Sequence, residues 1–369
     1  MKISFTKHNF SKKMFKNVTN ILKSGWLTHG KYTSLFEEEF KKFTKSKYAI
    51  TVSSCTAGLH LSCIAAGFKK GDEVLVTSMS HTATSHAVEY TGAKVKFIDV
   101  EELTGNIKVS DIEKHVSKKT KGLIIVHMAG YPCDLKIINK ICKKNKLKLI
   151  EDCAHAVGTI YNNKHVGNYG ISGSFSFYPT KQITTGEGGI VITNNKKIFR
   201  NISSLKAFGI DKDINQRKKQ GQYDVKQLGF NYRMTDFQSA IGYEQIKAYK
   251  KNVSRRFEIA KRYKKNFSKY KFIKTMPLNK NCSYFIFQIF VKNRDKILNI
   301  LKKKNFQVSV HYAKPIPLME YYSKKYNYKK DSFEKSKNYA KSNISLPCYP
   351  KLKFKEVDKI SETIIEYSK

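Results

Sequence analysis

From about residue 47 onward, short runs of β-branched and aromatic residues alternate with longer stretches whose apolar positions fall at helical spacing. The runs are YAITV (48–52), EVLVT (73–77), KVKFIDV (94–100), GLIIVHM (122–128), LKLIED (147–152), SFSFY (174–178) and GGIVIT (188–193). Segments such as LKIINKICKKNK (135–146) lie between most of them and are long enough for a helix. Strands that are apolar on both faces and joined by crossovers make a mostly parallel α/β sheet covered by helices. Ligands on such a sheet bind beyond the carboxyl ends of its strands, so functional motifs are expected just after these runs.

The pattern changes in the last third. TDFQ (235–238) has the Ser/Thr-x-x-Glu/Gln form of a capping box and opens a stretch rich in helix formers that reaches about Phe267. Beyond it the spacing predicts a strand over CSYFIFQIFV (282–291), a helix near 293–304, a strand over QVSVHY (307–312), and helices near 331–341 and 354–368. A chain of 369 residues exceeds one minimal core. The expected organisation is a large α/β domain, residues 1–245, and a smaller C-terminal α+β domain, residues 246–369.

Composition changes this picture in one respect. Seventy Lys and Arg against 29 Asp and Glu give a formal charge of +41, a balance that suggests nucleic acid or an anionic membrane. The lysines, however, recur from Lys12 to Lys330 on what read as helix faces and loop tips, and no RNP-like, zinc-finger or helix-turn-helix signature accompanies them. Diffuse charge of this kind reads as a solvated surface, with attraction for phosphate-bearing small molecules still open. The seven cysteines (55, 63, 133, 142, 153, 282, 348) contain no CxxC pair and suggest neither a metal site nor a disulfide framework. No window approaches the roughly 18 apolar residues of a membrane helix. The expectation is a cytoplasmic protein without membrane or nucleic-acid partners.

Three stretches following the predicted strands carry candidate chemistry. In SFSFYPTKQITTGEGG (174–189), Lys181 lies between an aromatic strand and a glycine cluster. A lysine held on a tight turn can present its amine to an aldehyde as a nucleophile, although alone it is one more lysine among many. IEDCAH (150–155) ends an apolar strand on an acid. Asp152 there could cap a helix or pair with a cation. Facing a pyridine nitrogen, it would keep that nitrogen protonated, while Glu151 points to the other sheet face by strand alternation. VSSCTAGLH (52–60) runs from a strand into a helix whose first N–H groups lack internal partners, so it serves either as a simple Ser/Thr cap or as a phosphate cradle. An amine, a pyridinium partner and a phosphate cradle are together the three anchors of pyridoxal 5'-phosphate.

With those residues in place the sequence resembles the DegT/StrS sugar aminotransferases, a branch of the pyridoxal phosphate fold type I superfamily. The resemblance spans nearly the whole chain, through SGWLTHGKYTSLFEEEF (24–40), SSCTAGLHL (53–61), GDEVLVTSMSHTATSHAV (71–88), TKGLIIVHMAGYPCDL (120–135), IEDCAHAVG (150–158), SFSFYPTKQITTGEGGIVIT (174–193) and LGFNYRMTDFQSAIGYEQI (228–246). It implies that Lys181 is the Schiff-base lysine and Asp152 the pyridine-nitrogen partner. It places Thr56, Ala57 and Ser176 on the phosphate and His155 beside the phenolic oxygen. It also implies that Asn231 reaches the neighbouring subunit's phosphate, hence a homodimer with shared active sites. His81 stands where the family commonly stacks an aromatic ring on the pyridine, and its charge, if protonated, would oppose the electron sink. Cys55 replaces the usual glycine or alanine before the phosphate-binding threonine. His29, His311 and Tyr312 match positions that could touch the substrate, although a buried histidine and tyrosine on a strand fit the last two equally well.

The resemblance further implies transamination from an amino acid, usually glutamate, to a keto-deoxysugar carried on a nucleoside diphosphate, in amino-sugar and surface-glycan synthesis. Lys181 would act as both nucleophile and base. A sister branch that dehydrates sugars has histidine in place of this lysine, which Lys181 disfavours. A non-catalytic homologue that only binds cofactor and sugar nucleotide is the remaining alternative.

Overall fold

The computed structural model describes residues 2–211, 219 and 221–368. Its strands are β1 (Tyr48–Val52), β2 (Glu73–Thr77), β3 (Lys94–Ile98), β4 (Thr120–Val126), β5 (Lys148–Asp152), β6 (Ile160–Tyr161), β7 (Lys164–His165), β8 (Ser172–Ser176), β9 (Gly189–Thr193), β10 (Lys274–Thr275), β11 (Ile286–Phe290) and β12 (Asn343–Pro347). Its α-helices are α1 (Lys12–Ser24), α2 (Lys31–Thr44), α3 (Cys55–Ala65), α4 (Ala83–Glu89), α5 (Leu135–Lys144), α6 (Lys196–Leu205), α7 (Asp236–Ala248), α8 (Lys250–Phe267), α9 (Arg294–Lys303), α10 (Glu320–Tyr326), α11 (Glu334–Ser342) and α12 (Phe354–Ser368).

Seven strands form the main sheet in the order β1-β9-β8-β5-β4-β2-β3. Pairings from β3 through β8 are parallel, and β9 runs antiparallel to both of its neighbours. Each of the seven apolar runs read from the sequence contributes one of these strands. Their residues are almost entirely buried, which a sheet covered on both faces requires.

The second sheet is small and antiparallel, in the order β10-β11-β12. Its core of Phe285, Phe287, Ile289, Ile344 and Leu346 packs against Tyr263 and Phe267 of α8 and Ile360 and Ile364 of α12. Ile3, from the chain's start, is fully buried in the same cluster. Met79, Met128 and Ala129, which follow β2 and β4, also belong to it, so the two sheets share a continuous interior.

Two local expectations are corrected. TDFQ does close a reciprocal capping box at Thr235 and Gln238, but the stretch to Phe267 is two helices that meet at Tyr249. The Tyr249 ring is buried there and its hydroxyl donates to the Val157 carbonyl at 3.1 Å, a tertiary anchor that helical periodicity does not show. QVSVHY (307–312) is not a regular strand. Only Ser309 bridges to Ser345, and the following backbone is held by side chains: the His311 N–H donates to Asn343 Oδ1, and Gln288 Nε2 donates to the His311 carbonyl.

Candidate active site

Ser53, His81, Asp152 and Ser176 all lie at or just past the carboxyl ends of strands β1, β2, β5 and β8, so the sheet brings four distant stretches to one edge. Lys181 follows β8 on a turn closed by its own N–H donating to the Tyr178 carbonyl at 2.9 Å. Burial lowers the Lys181 ammonium from its ordinary value to about 8, against the opposing pull of Cys55 and Asp152. Its Nζ stands 4.8 Å from the centre of the Phe285 ring.

Asp152 is buried, and its oxygens are fully directed. Thr84 Oγ1 donates to Oδ2 at 2.7 Å, and the Ala154 N–H donates to Oδ1 at 3.0 Å. Burial raises the carboxyl above its ordinary value, and these donors together with Lys181 and His81 draw it partly back. Cys55 Sγ lies 4.0 Å from Oδ1, and burial pushes this thiol well above its usual range, so it stays protonated rather than reactive.

The candidate anion cradle is the start of α3. Ser54 caps the helix, with its Oγ accepting the Ala57 N–H at 3.1 Å, so an anion there shares or displaces that cap. The N–H groups of Cys55 and Thr56 are in the first turn, where a helix has no acceptors of its own. Gly189 lies directly beneath: a Cβ at this position would sit 2.6 Å from the Cys55 nitrogen, so only glycine lets β9 come this close to the helix start. Ser176 is buried at the end of β8, opposite Gly189, and its Oγ accepts the Tyr178 N–H at 3.4 Å.

A cluster of rings closes the other side. His155 is buried and stacks on Phe285 with centroids 4.5 Å apart. Its Nδ1 accepts the Ala129 N–H at 3.4 Å, which puts the proton of the neutral ring on Nε2, 3.4 Å from the Tyr312 hydroxyl. Burial, then Lys181, His311 and His81, hold its pKa well below the ordinary histidine value. Burial, then Lys181 and His81, lower His311 to about 3. His311 packs edge-on against both His155 and Phe285, with Nδ1 3.0 Å from Ser345 Oγ. His81 stands at the exposed mouth, 6.2 Å from the Tyr312 ring, with its Nδ1 accepting the Ala83 N–H. Partial enclosure of its ring and the nearby Lys181 lower its pKa below the ordinary histidine value, with Asp152 pulling the other way, so the neutral imidazole is favoured.

Lys181, Asp152, His155, His81, His311 and Tyr312 therefore form one group, and Thr56, Ala57 and Ser176 border it through α3 and β8. Asn231 is exposed, its backbone bridged to Ala207, while the neighbouring Tyr232 carbonyl accepts the Ser53 N–H at 2.8 Å. His29 is half-buried at the start of α2, with a left-handed φ of 54°, next to Gly30, which packs against the Asp236 carboxylate. Sequence reasoning missed Phe285 and Thr84. A threonine three residues after His81 carried a usable signal, since it opens the helix that follows β2.

Glu151 faces the opposite side of β5, as alternation requires. It accepts from His127 Nε2 at 3.0 Å and from the backbone N–H groups of Gly167, Tyr169 and Gly170 at 2.7–2.8 Å. Burial pushes its pKa up, but the His127 and backbone donors outweigh that and leave the carboxyl below its ordinary value. His127, Glu151 and Cys153 place ligand atoms within 4.8 Å of one another. The imidazole's Nδ1 already accepts the Cys133 N–H, so no ring lone pair is left for a metal ion. This knot instead fixes β5 against the 167–170 loop. Glu151→Ala is expected to cost about 3–5 kcal/mol of stability in urea unfolding; a loss below about 1 kcal/mol would show that the knot carries little of the fold.

A desolvated lysine and a buried, well-oriented carboxylate beside a helix start, at the carboxyl edge of a mostly parallel sheet, define the fold type I class of pyridoxal phosphate enzymes. The DegT/DnrJ/EryC1/StrS aminotransferase family model matches residues 9–365, and the chain belongs to that family. Aminotransferases of this family use pyridoxal 5'-phosphate. The chain is 36% identical over 354 residues to GDP-perosamine synthase of Escherichia coli O157:H7, covering 95% of this chain and 94% of that one. It is 34% identical to the spore coat polysaccharide biosynthesis protein SpsC of Bacillus subtilis, with 96% and 94% covered. Helicobacter pylori PseC, an aminotransferase involved in the biosynthesis of pseudoaminic acid, superposes with a TM-score of 0.92 at 28% identity, over 100% of this chain and 99% of PseC. Among the described residues no helix is long and apolar enough to cross a membrane.

Proposed function

We propose that this chain transfers the amino group of glutamate to a keto-deoxysugar linked to a nucleoside diphosphate, in the synthesis of an amino sugar for a surface glycan. The observation that carries the reading is the shared pocket of Lys181 Nζ and the Asp152 carboxylate, set beside the α3 start. The residues fit the cofactor: an amine for its aldehyde, an acid for its ring nitrogen, and a glycine-floored cradle for its phosphate. When bound, pyridoxal phosphate supplies the carbonyl for nitrogen exchange and a cationic ring that withdraws electrons from the donor's α-carbon.

The chain's own groups do the rest. Lys181 would hold the cofactor's aldehyde as a nucleophile and would serve as the base for the donor's α-proton. Its pKa near 8 lets that amine take up and release a proton close to neutral pH. Asp152, oriented by Thr84 and Ala154, would keep a facing ring nitrogen protonated. His155, neutral and fixed by Ala129, directs an N–H toward Tyr312 at the edge where the acceptor enters.

The reading extends to a homodimer with shared sites. Supporting it, α1 and the turn after it expose Phe15, Leu22, Trp26 and Leu27, and the segment leading to Asn231 exposes Leu228 at 87%. Asn231 and His29 would then serve the partner's site. The separate sheets support a division near 245/246, and seven free, buried cysteines support a reducing, cytoplasmic setting. The name of GDP-perosamine synthase points to a GDP-linked sugar, and that of a Campylobacter jejuni relative 31% identical over 372 residues, UDP-4-amino-4,6-dideoxy-N-acetyl-beta-L-altrosamine transaminase, to a UDP-linked one. The test is to incubate the holoenzyme with glutamate and a panel of UDP-, dTDP-, GDP- and CDP-linked 3-keto and 4-keto deoxysugars and to follow 2-oxoglutarate. Sugar-dependent turnover is expected for a subset of the panel; a cofactor absorbance that never responds to glutamate would mark a binding protein instead.

A further inference from the structure

The residues before α1 do more than lead into it. Ile3 pairs with the small sheet's neighbourhood through a parallel bridge to Phe306: its N–H donates to the Asn305 carbonyl at 3.0 Å and its carbonyl accepts the Gln307 N–H at 2.8 Å. Two residues on, the Phe5 N–H donates to Gln307 Oε1 at 3.1 Å, and the Phe5 ring stacks on His311 with planes 13° apart. His8 Nε2 then donates to the Pro179 carbonyl at 2.7 Å, two residues before Lys181. The segment thus runs from the rim that carries His311 and Tyr312 to the turn that carries Lys181.

A carbonyl oxygen only accepts, so its bond to His8 places the imidazole proton on Nε2 and leaves a lone pair on Nδ1. Burial lowers the His8 pKa and keeps that lone pair available at neutral pH. The other imidazoles of the pocket are already committed. His81 and His155 use Nδ1 to accept the Ala83 and Ala129 N–H groups, and His311 Nδ1 is engaged with Ser345. Asp152 accepts from Thr84 and Ala154, and its remaining capacity is assigned to the cofactor's ring nitrogen. Among the described residues no donor reaches His8 Nδ1, so of these groups it is the acceptor the protein has not spent on itself.

We infer that residues 4–8 form a wall of the acceptor pocket and that His8 is a specificity-determining residue, accepting a hydrogen bond from a hydroxyl of the ketosugar. The inference rests on the aminotransferase reading and adds the chain's N-terminus to its substrate site. A site that hydrogen-bonds a substrate hydroxyl discriminates against sugars lacking it, because the site's own polar group is then left unpaired.

His8→Phe keeps a ring for Phe10, whose centroid lies 5.9 Å away, and removes both hydrogen bonds. His8→Gln retains an N–H for Pro179 and an oxygen that can accept. The holoenzyme and both variants are titrated calorimetrically with the aminated sugar nucleotide that the wild type produces. The glutamate and ketosugar half-reactions are then timed separately by cofactor absorbance. His8→Phe is expected to weaken sugar-nucleotide binding about tenfold or more and to slow the ketosugar half-reaction far more than the glutamate half-reaction, with His8→Gln recovering most of the loss. Equal slowing of both half-reactions, or wild-type sugar affinity in His8→Phe, overturns the assignment of His8. If the wild type turns over no ketosugar in the panel, the aminotransferase reading itself has failed, which is a distinct result.

Discussion

Lys181→Ala is expected to lower transamination by at least roughly four orders of magnitude, because one substitution removes both the nucleophile and the proton carrier. The fold should survive, since among the described residues the Lys181 ammonium makes no ion pair, so removing it leaves no buried charge unpaired. Steady-state release of 2-oxoglutarate with an accepted ketosugar measures the loss. The same amine sets a pH dependence. Its folded pKa of about 8 lies below the ordinary lysine value, so the neutral, nucleophilic form grows as pH rises and dominates above 8. Uptake of pyridoxal phosphate by the apoprotein should therefore accelerate with pH up to about 8 and level off beyond it. Full transamination by Lys181→Ala would remove the lysine from the reaction.

Asp152→Asn should produce a different failure. The amide keeps the size of the side chain and can still accept from Thr84, but it carries no charge to hold a proton on a facing ring nitrogen. A decrease of about 10²–10³-fold in turnover is expected, the scale of losing one preorganised electrostatic group. Cofactor binding should persist, because the α3 cradle and Lys181 are untouched. Retained cofactor absorbance with lost turnover identifies an electronic role for Asp152. Loss of the cofactor altogether would point to a binding role instead.

Much of this architecture could be read before the fold was known, for physical reasons that also mark where reading stops. Most strands of the main sheet are short runs buried on both faces, so composition alone reveals them. The order of those strands depends on pairings between residues far apart in the chain, such as Tyr48 with Thr193, and local pattern says nothing of them. The break at Tyr249 and the irregular 307–312 stretch were missed for a related reason. Both coincide with tertiary hydrogen bonds that local pattern does not show, from Tyr249 to Val157 in one case and between His311 and both Asn343 and Gln288 in the other.

The site divides along the same line. Lys181, Asp152 and the 53–57 turn follow strands directly, so the sheet's polarity gathers them and their chemistry is readable in place. Phe285, Thr84 and His8 act through neighbours that come from other parts of the chain. Phe285 looks like any core aromatic until Lys181 and His155 are seen against its ring. His8 looks like a terminal residue until Pro179 is found at its Nε2.

The central claim is that one amine among the chain's many lysines bonds the cofactor. Hydride reduction of the holoenzyme, followed by proteolysis and mass spectrometry, tests it most directly. The cofactor's mass should be found on the peptide that contains Lys181 and on no other lysine at comparable yield. Labelling of a different lysine, or no stable attachment at all, would contradict the account.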